Sequence, residues 1–383
     1  MLRKKIRSIL ALLTVVLTAS AVGAVSCMPL EEALNALSNF NVIGTTPSSS
    51  FSQDGVIGFS MMPGANSQYG AFANFRGDGM EVEVRDSDGK YRACDYQGTE
   101  EVEGSEFNTL AVLVDNSGSM ELEYPEAQFG NLCLTCPHDK GRLRVQAVHE
   151  LISELFKLSA DNHLAIMDFQ PTYPDATTAS RVLKDFTTNP NDLIEALAYI
   201  GGAEYVGTPL WDSLAEVIVE TKETAEVVEA ALALDGRRTS KGEEPEVKRY
   251  ILVLSDGDDR DSLKENLESV IALAQANQVV VHAVGLGPAA AAFEDPRLQV
   301  SEQIATVQSL QKLADATGGF YTSVHDASAL KELYGIIAHG LAKGYQVENY
   351  VCRPDGKLPQ SGQKVEGRVR MGNETSTWSM IAP

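Results

Sequence analysis

Apolar residues follow two rhythms along this chain, and the change of rhythm divides it. Between residues 108 and 344, largely apolar runs stand at 109–114, 164–167, 251–254 and 279–284, the first opening on Thr109 and the last containing His282. Short, nearly unbroken apolar runs read as strands covered on both faces. They alternate with stretches whose apolar residues recur at helical spacing: Val148, Leu151, Ile152 and Leu155; Leu267, Val270, Ile271 and Ala274; Leu330, Leu333, Tyr334 and Ile337. Gly318-Gly319 closes one such helix ahead of a strand at Phe320-Tyr321-Thr322. This alternation predicts an α/β domain built on a doubly wound, mostly parallel sheet.

Outside that region the period is two. Residues 80–85 (Met-Glu-Val-Glu-Val-Arg) alternate strictly, Asp86-Ser87-Asp88-Gly89 is a turn, and a strand through Lys90 to Cys94 follows. Residues 345–352 and 364–371 also read as strands, with a turn at Pro354-Asp355-Gly356. Neither flank, 55–107 or 345–383, is long enough to bury a core alone. The two are expected to pair into one small β-sandwich, with the α/β domain of residues 108–344 inserted between its halves. Ahead of them, residues 27–54 read as a tether in which 31–40 can form a short helix and Gly44 to Ser50 are flexible by composition.

The N-terminus carries an export pattern. Arg3, Lys4, Lys5 and Arg7 precede an apolar run at 9–17, and small residues continue to Cys27, which marks residues 1–26 as a signal peptide. The run is short for a permanent membrane span. Ala24-Val25-Ser26-Cys27 looks like a bacterial lipobox, in which Cys27 would become the lipid-bearing first residue. Ala24 stands where Leu is usual, and cleavage near Ala24 by ordinary signal peptidase is the other outcome. Of five cysteines, lipid on Cys27 leaves Cys94, Cys133, Cys136 and Cys352, an even set suited to an oxidising compartment. A bond between Cys94 and Cys352 would staple the sandwich halves; it is one of three connectivities that four cysteines allow. Met28 lacks the acidic retention signal of some lipoproteins. The expectation is therefore a bacterial cell-envelope protein, lipid-anchored at the outer membrane or cell surface, with the membrane reached through the anchor only.

A formal net charge of −22 excludes nucleic acid as a partner, because phosphate binding needs a basic face, and otherwise serves solubility.

The candidate chemistry sits where two of the buried strands end. Asp115-Asn116-Ser117-Gly118-Ser119 follows the first run and Ser255-Asp256-Gly257 the third, while Gly207-Thr208-Pro209 opens a helical stretch. Ligands of open α/β sheets bind at the carboxyl ends of strands. Carboxylates and hydroxyls there are hard oxygen donors suited to Mg²⁺ or Mn²⁺. With all three segments present, residues 108–344 resemble the von Willebrand factor type A (VWA) domain, the family that includes integrin I domains. The resemblance implies a metal-ion-dependent adhesion site (MIDAS) made of Asp115, Ser117, Ser119, Thr208 and Asp256, in the family's order. It implies one divalent cation, coordinatively open, that accepts a Glu or Asp of a protein partner. Asp258, Asp259 and Asp261, just beyond, read as acids at the start of the next helix.

In most of that family a helix starts soon after Asp-x-Ser-x-Ser. Here residues 121–140 intervene, bearing Cys133-Leu134-Thr135-Cys136. A local disulfide, a zinc site using Cys133, Cys136, His138 and a fourth ligand, and a thiol–disulfide activity are the readings open to that pair. Catalysis is not expected: no protein base stands near the oxygen set, and no Gly-x-x-x-x-Gly-Lys phosphate loop is present. The alternatives to adhesion or envelope-complex assembly are a scaffold whose metal only stabilises the loops, and a thiol–disulfide protein using Cys133 and Cys136.

Overall fold

The computed structural model describes residues 40–48, 51–63, 79–121, 128–129, 132–133, 139, 141–159, 161–169, 178–201, 207–256, 259, 261–286, 289, 300–324, 330–372 and 374–383. The expected signal peptide, Cys27, the helix expected at 31–40 except its last residue, Cys136, His138, Asp258 and most of the 121–140 insertion lie outside the described residues.

The chain first forms β1 (Phe40–Pro47), β2 (Val56–Pro63), β3 (Met80–Arg85), β4 (Tyr91–Ala93) and β5 (Asp95–Val102). Next come β6 (Asn108–Val114), a small hairpin of β7 (Gln128–Phe129) and β8 (Leu132–Cys133), and helix α1 (Leu143–Leu158). Strands β9 (Asn162–Phe169) and β10 (Ser180–Thr187) precede α2 (Pro190–Ala196) and the long α3 (Leu210–Leu234). Then follow β11 (Lys248–Ser255), α4 (Leu267–Ala276), β12 (Val279–Leu286), α5 (Val300–Thr317), β13 (Tyr321–Val324) and α6 (Leu330–Lys343). The chain ends with β14 (Tyr345–Val351), β15 (Lys364–Met371) and β16 (Glu374–Ile381).

The expected α/β sheet is present, in the order β10-β9-β6-β11-β12-β13. Every neighbouring pair is parallel except β10 with β9. All seven residues of β6 are buried because helices cover both faces. Leu110, Val112 and Val114 join a core with α1, α2 and α6, while Ala111 and Leu113 join another with α3, α4 and α5. From β6 the chain moves outward to β9 and β10, then crosses back to β11 on the other side. The order therefore reverses between β6 and β11, where Val114 pairs with Leu254. Such a switch point leaves a crevice at the carboxyl ends of the two strands.

Two four-stranded antiparallel sheets, β1-β2-β14-β5 and β16-β15-β3-β4, flank this unit in sequence. Each takes strands from both ends of the chain: β14 lies between β2 and β5, and β15 pairs with β3. Ile57, Phe59 and Met61 of the first sheet share a core with Val82, Val84, Val369 and Met380 of the second. The Phe59 ring meets Trp378 edge-on at 5.0 Å and Tyr350 at 5.9 Å. Gly367 lies beneath the Trp378 indole, so close that a Cβ there would stand 2.4 Å from the ring.

A disulfide joins Cys94, between β4 and β5, to Cys352 at the end of β14, with Cα atoms 4.5 Å apart. It closes a loop of 258 residues containing the whole α/β unit. Closing so long a loop restricts the unfolded chain. Cys94→Ala is expected to lower unfolding free energy by about 2–4 kcal/mol, read by equilibrium denaturation with and without reductant. Parent and variant are expected to converge once the parent is reduced.

The reading of residues 27–54 as a tether needs correction at its end. Residues 40–47 are strand β1 and Phe51–Asp54 a turn of helix. Gly44 and Thr45, flexible by composition, are buried. At Gly44 the backbone passes so near β13 that a Cβ would come within 2.7 Å of the Tyr321 carbonyl. Glycine serves close approach here. Pro47 is tolerated because β1 is an edge strand.

Candidate metal centre

Strand β6 delivers Asp115 to the switch point, and the Asp115 N–H donates to the Leu254 carbonyl at 3.0 Å. The carboxylate is fully buried and held at both oxygens. Oδ1 accepts from the Ser117 N–H at 2.9 Å, and Oδ2 accepts from the Ser255 hydroxyl at 3.0 Å. The first bond is a local Asx turn that folds the loop so that Ser117 and Ser119 project to one side. Their hydroxyls lie 2.9 Å apart, and Ser119 Oγ donates to Asp256 Oδ1 at 3.1 Å. Asp256 and Asp115 are 0% exposed, whereas Ser119 is exposed, so the cluster opens to solvent on the Ser119 side. Thr208 is buried, and its N–H donates to Asp261 Oδ2 at 2.8 Å, which ties its loop to the segment following Asp256.

Hydrogen bonds thus gather Asp115, Ser117, Ser119 and Asp256, and the backbone of Thr208 is fastened to the same region. The donor set is oxygen throughout. Among the described residues no three His, Cys, Asp or Glu side chains gather as a metal cage. Burial, and then the charge of Asp256, push the Asp115 carboxyl up to about 7. Two buried carboxylates in proximity resist joint ionisation. A divalent cation between them would relieve that repulsion, so the residues fit the group.

Sequence reasoning missed the layer beneath the loop. Asn116, between two of the donors, accepts at Oδ1 from the Gly201 N–H at 2.9 Å and donates from Nδ2 to Asp168 Oδ2 at 3.0 Å. Asp168, on β9, also receives Arg181 of the antiparallel edge strand β10, with Nε at 2.9 Å. Burial nevertheless raises its carboxyl above the ordinary range. Arg144 reaches Asn116 Oδ1 at 3.4 Å and pairs with Asp139 at 2.8 Å, both side chains wholly buried. Asp139 also caps α1, accepting from the Leu143 N–H at 2.6 Å and the Arg144 N–H at 3.0 Å. Its own N–H donates to the Met120 carbonyl at 2.9 Å. The far end of the 121–140 insertion is thereby pinned to the metal loop. A buried Arg and Asp in a single-sequence pattern carry no signal of this; only their placement reveals it.

Asp259 and Asp261, expected as acids of their own helix, instead serve a different one. Asp259 Oδ1 accepts from the Leu210 N–H of α3 at 2.9 Å, and α4 is capped by Asn266.

The doubly wound domain thus sets acidic and hydroxyl side chains at the switch point, the position at which open α/β sheets generally bind ligands. The von Willebrand factor type A domain family matches residues 109–335, more than half of the chain, and the chain belongs to that family. VWA domains commonly bind a divalent cation at the MIDAS. Similar solved structures include a von Willebrand factor type A protein from Catenulispora acidiphila. It shares 12% identity over 78% of this chain and 75% of its own, at a TM-score of 0.41. Proximal thread matrix protein 1 of the mussel byssus, with a zinc-occupied MIDAS, shares 13% identity over 67% of this chain and 49% of its own, at 0.38. An aerotolerance-related membrane protein from Bacteroides fragilis shares 13% identity over 61% of this chain and 98% of its own, at 0.33. No curated protein matches the chain.

Proposed function

We propose that Asp115, Ser117, Ser119, Thr208 and Asp256 form a complete MIDAS holding one Mg²⁺ or Mn²⁺, through which the protein binds an acidic residue of a macromolecular partner. The observation that carries this reading is the hydroxyl relay Ser117–Ser119–Asp256, set beside the buried Asp115 at the switch point and open to solvent at Ser119. Two carboxylates leave a divalent cation electron-poor, so a partner's Glu or Asp completes the shell. The function is binding rather than catalysis, because water on such an oxygen-ligated ion is weakly acidified.

The export pattern and Cys27 support a location in a bacterial cell envelope, on a lipid anchor, with a role in adhesion or envelope-complex assembly. No helix among the described residues is long and apolar enough to cross a membrane. The net charge of −22 slows encounter with an acidic partner, but screening beyond about 8 Å at physiological salt leaves direct coordination unaffected.

The test is retention of envelope proteins on the immobilised full chain. Retention is expected to vanish in EDTA, return with Mg²⁺, and be absent for Asp115→Ala. A cation that raises the unfolding temperature while leaving retention unchanged would instead identify a scaffold whose metal only stiffens its loops. Retention lost with Cys133→Ala but kept with Asp115→Ala would point to the thiol pair.

A further inference from the structure

The loops carrying Thr208 and Asp256 are tied by hydrogen bonds that run in both directions. Helix α3 starts two residues after Thr208, and its N-cap residue, Pro209, has no side-chain acceptor. The loop after β11 supplies the acceptors instead. Asp261 Oδ2 takes the Thr208 N–H at 2.8 Å and Asp259 Oδ1 the Leu210 N–H at 2.9 Å. Ser262 Oγ takes the N–H groups of Trp211 and Asp212, both at 3.0 Å. In return the Asp212 carboxylate, only 3% exposed, accepts from the N–H groups of Leu263 at 2.9 Å, Lys264 at 3.1 Å and Glu265 at 2.7 Å. Farther along the same helix, Glu216 accepts from the Ala179 and Ser180 N–H groups, both at 2.8 Å, and Ser213 Oγ donates to the Ala179 carbonyl at 2.8 Å.

Helix capping alone does not explain this arrangement. A cap needs an acceptor for the first free N–H groups of its helix. Asp212 faces away from that task and orders the loop that caps it. The outcome is a closed reciprocal clamp in which neither segment can shift without breaking bonds on the other.

We propose that Asp212 is a positioning residue for the cation: by fastening the Thr208 loop to the Asp256 loop, it presents both donors as one preorganised unit. This rests on the cation-site reading above and adds a residue outside the five donors. Loops that a ligand must order on arrival bind it more weakly, because the ordering entropy comes out of the binding free energy. The clamp settles that ordering during folding. It also makes the first turn of α3 move together with the metal edge.

The experiment is calorimetric titration of Mg²⁺ and Mn²⁺ into the full chain as parent, Asp212→Asn, Ser262→Ala and Asp115→Ala. Asp212→Asn keeps the side-chain shape but turns one acceptor into an amide that faces backbone N–H groups. Its affinity for cation is expected to fall about tenfold or more, and that of Ser262→Ala about threefold to tenfold, the scale of one or two lost hydrogen bonds. The cation-induced rise in unfolding temperature is expected to shrink in the same order. If Asp212→Asn does not fold, Ser262→Ala decides. Parent-like cation affinity in the folded variants, even with lowered unfolding temperatures, would reduce the clamp to a structural tie and overturn the proposal. A parent that binds no cation would overturn the cation-site reading itself, and the two failures are distinguished by which protein is silent.

Discussion

Asp115→Ala is expected to abolish Mg²⁺ and Mn²⁺ binding in calorimetry while leaving the fold in place, and to make the stability of the cation-free protein less sensitive to a rise in pH from about 4 to about 7. The first outcome follows from geometry. Asp115 organises the loop, accepting from Ser117 and Ser255, and is one of the two carboxylates among the five proposed donors. The second follows from linkage. In the cation-free native state burial and the Asp256 charge hold the Asp115 carboxyl near 7, against an ordinary value of 3.8. Between those values the native state keeps a proton that the unfolded chain has released. Stability of the cation-free parent therefore falls as pH rises from about 4 through about 7, and is level beyond. A bound cation replaces the proton, so saturating Mg²⁺ is expected to flatten the fall, and cation affinity is expected to weaken as pH drops below about 7. Unfolding temperatures from pH 5 to 8, with EDTA and with Mg²⁺, measure both. A cation-free parent whose pH profile matches that of Asp115→Ala would show that burial and the Asp256 charge do not raise the Asp115 carboxyl.

Arg144→Met is expected to destabilise the protein by about 3–5 kcal/mol, the usual result of stranding one charge of a buried pair. Asp139 would keep the Leu143 and Arg144 N–H groups but lose the Arg144 guanidinium in a buried site. The Asn116 carbonyl oxygen would lose its weaker contact and retain Gly201. The double variant Asp139→Asn, Arg144→Met removes both charges and keeps one oxygen to cap α1. It is expected to be more stable than Arg144→Met alone, because a neutral buried amide is easier to satisfy than a lone carboxylate. Chemical denaturation of the three proteins measures this. A double variant no more stable than the single one would mean that capping, and not the charge pair, is what Arg144 supports.

The α/β sheet was legible because its strands are covered on both faces. Residues 109–114 and 251–254 lie within β6 and β11, and neither is interrupted by a polar residue that would blur the pattern. Strand β3 was equally plain, its alternation of buried and exposed positions matching Met-Glu-Val-Glu-Val-Arg. Edge and outer strands were not. Strand β10 and strand β5 are half exposed along most of their length, and Ser-Arg-Val-Leu-Lys-Asp-Phe-Thr or Asp-Tyr-Gln-Gly-Thr-Glu-Glu-Val has too few apolar positions to declare a face. Strand β1 hid behind residues typical of linkers. At the candidate centre the donor residues could be named from spacing, since each follows a strand or opens a helix. What holds them could not be. Asn116, Asp139, Arg144, Asp168 and Asp212 are ordinary polar residues in sequence; Asn116, Asp168 and Asp212 depend on partners tens of residues away, and the Asp139–Arg144 pair, though close in sequence, shows its role only through its burial beneath the loop.

Strand β5 and strand β14, the way into the α/β unit and the way out, are antiparallel neighbours, with Val102 paired to Tyr345. Both connections thus leave by one end of the unit, the end where β6 begins, while Asp115 lies at the other end, about 23 Å away along seven strand residues. Traction applied at the metal edge would run lengthwise down β6 toward the sandwich. There β6 is flanked by β9 and β11 in parallel register, so its ladders would be loaded in shear, all bonds together, rather than peeled one at a time. A chain wired in this way is suited to bearing tension between whatever grips its tip and whatever holds its base.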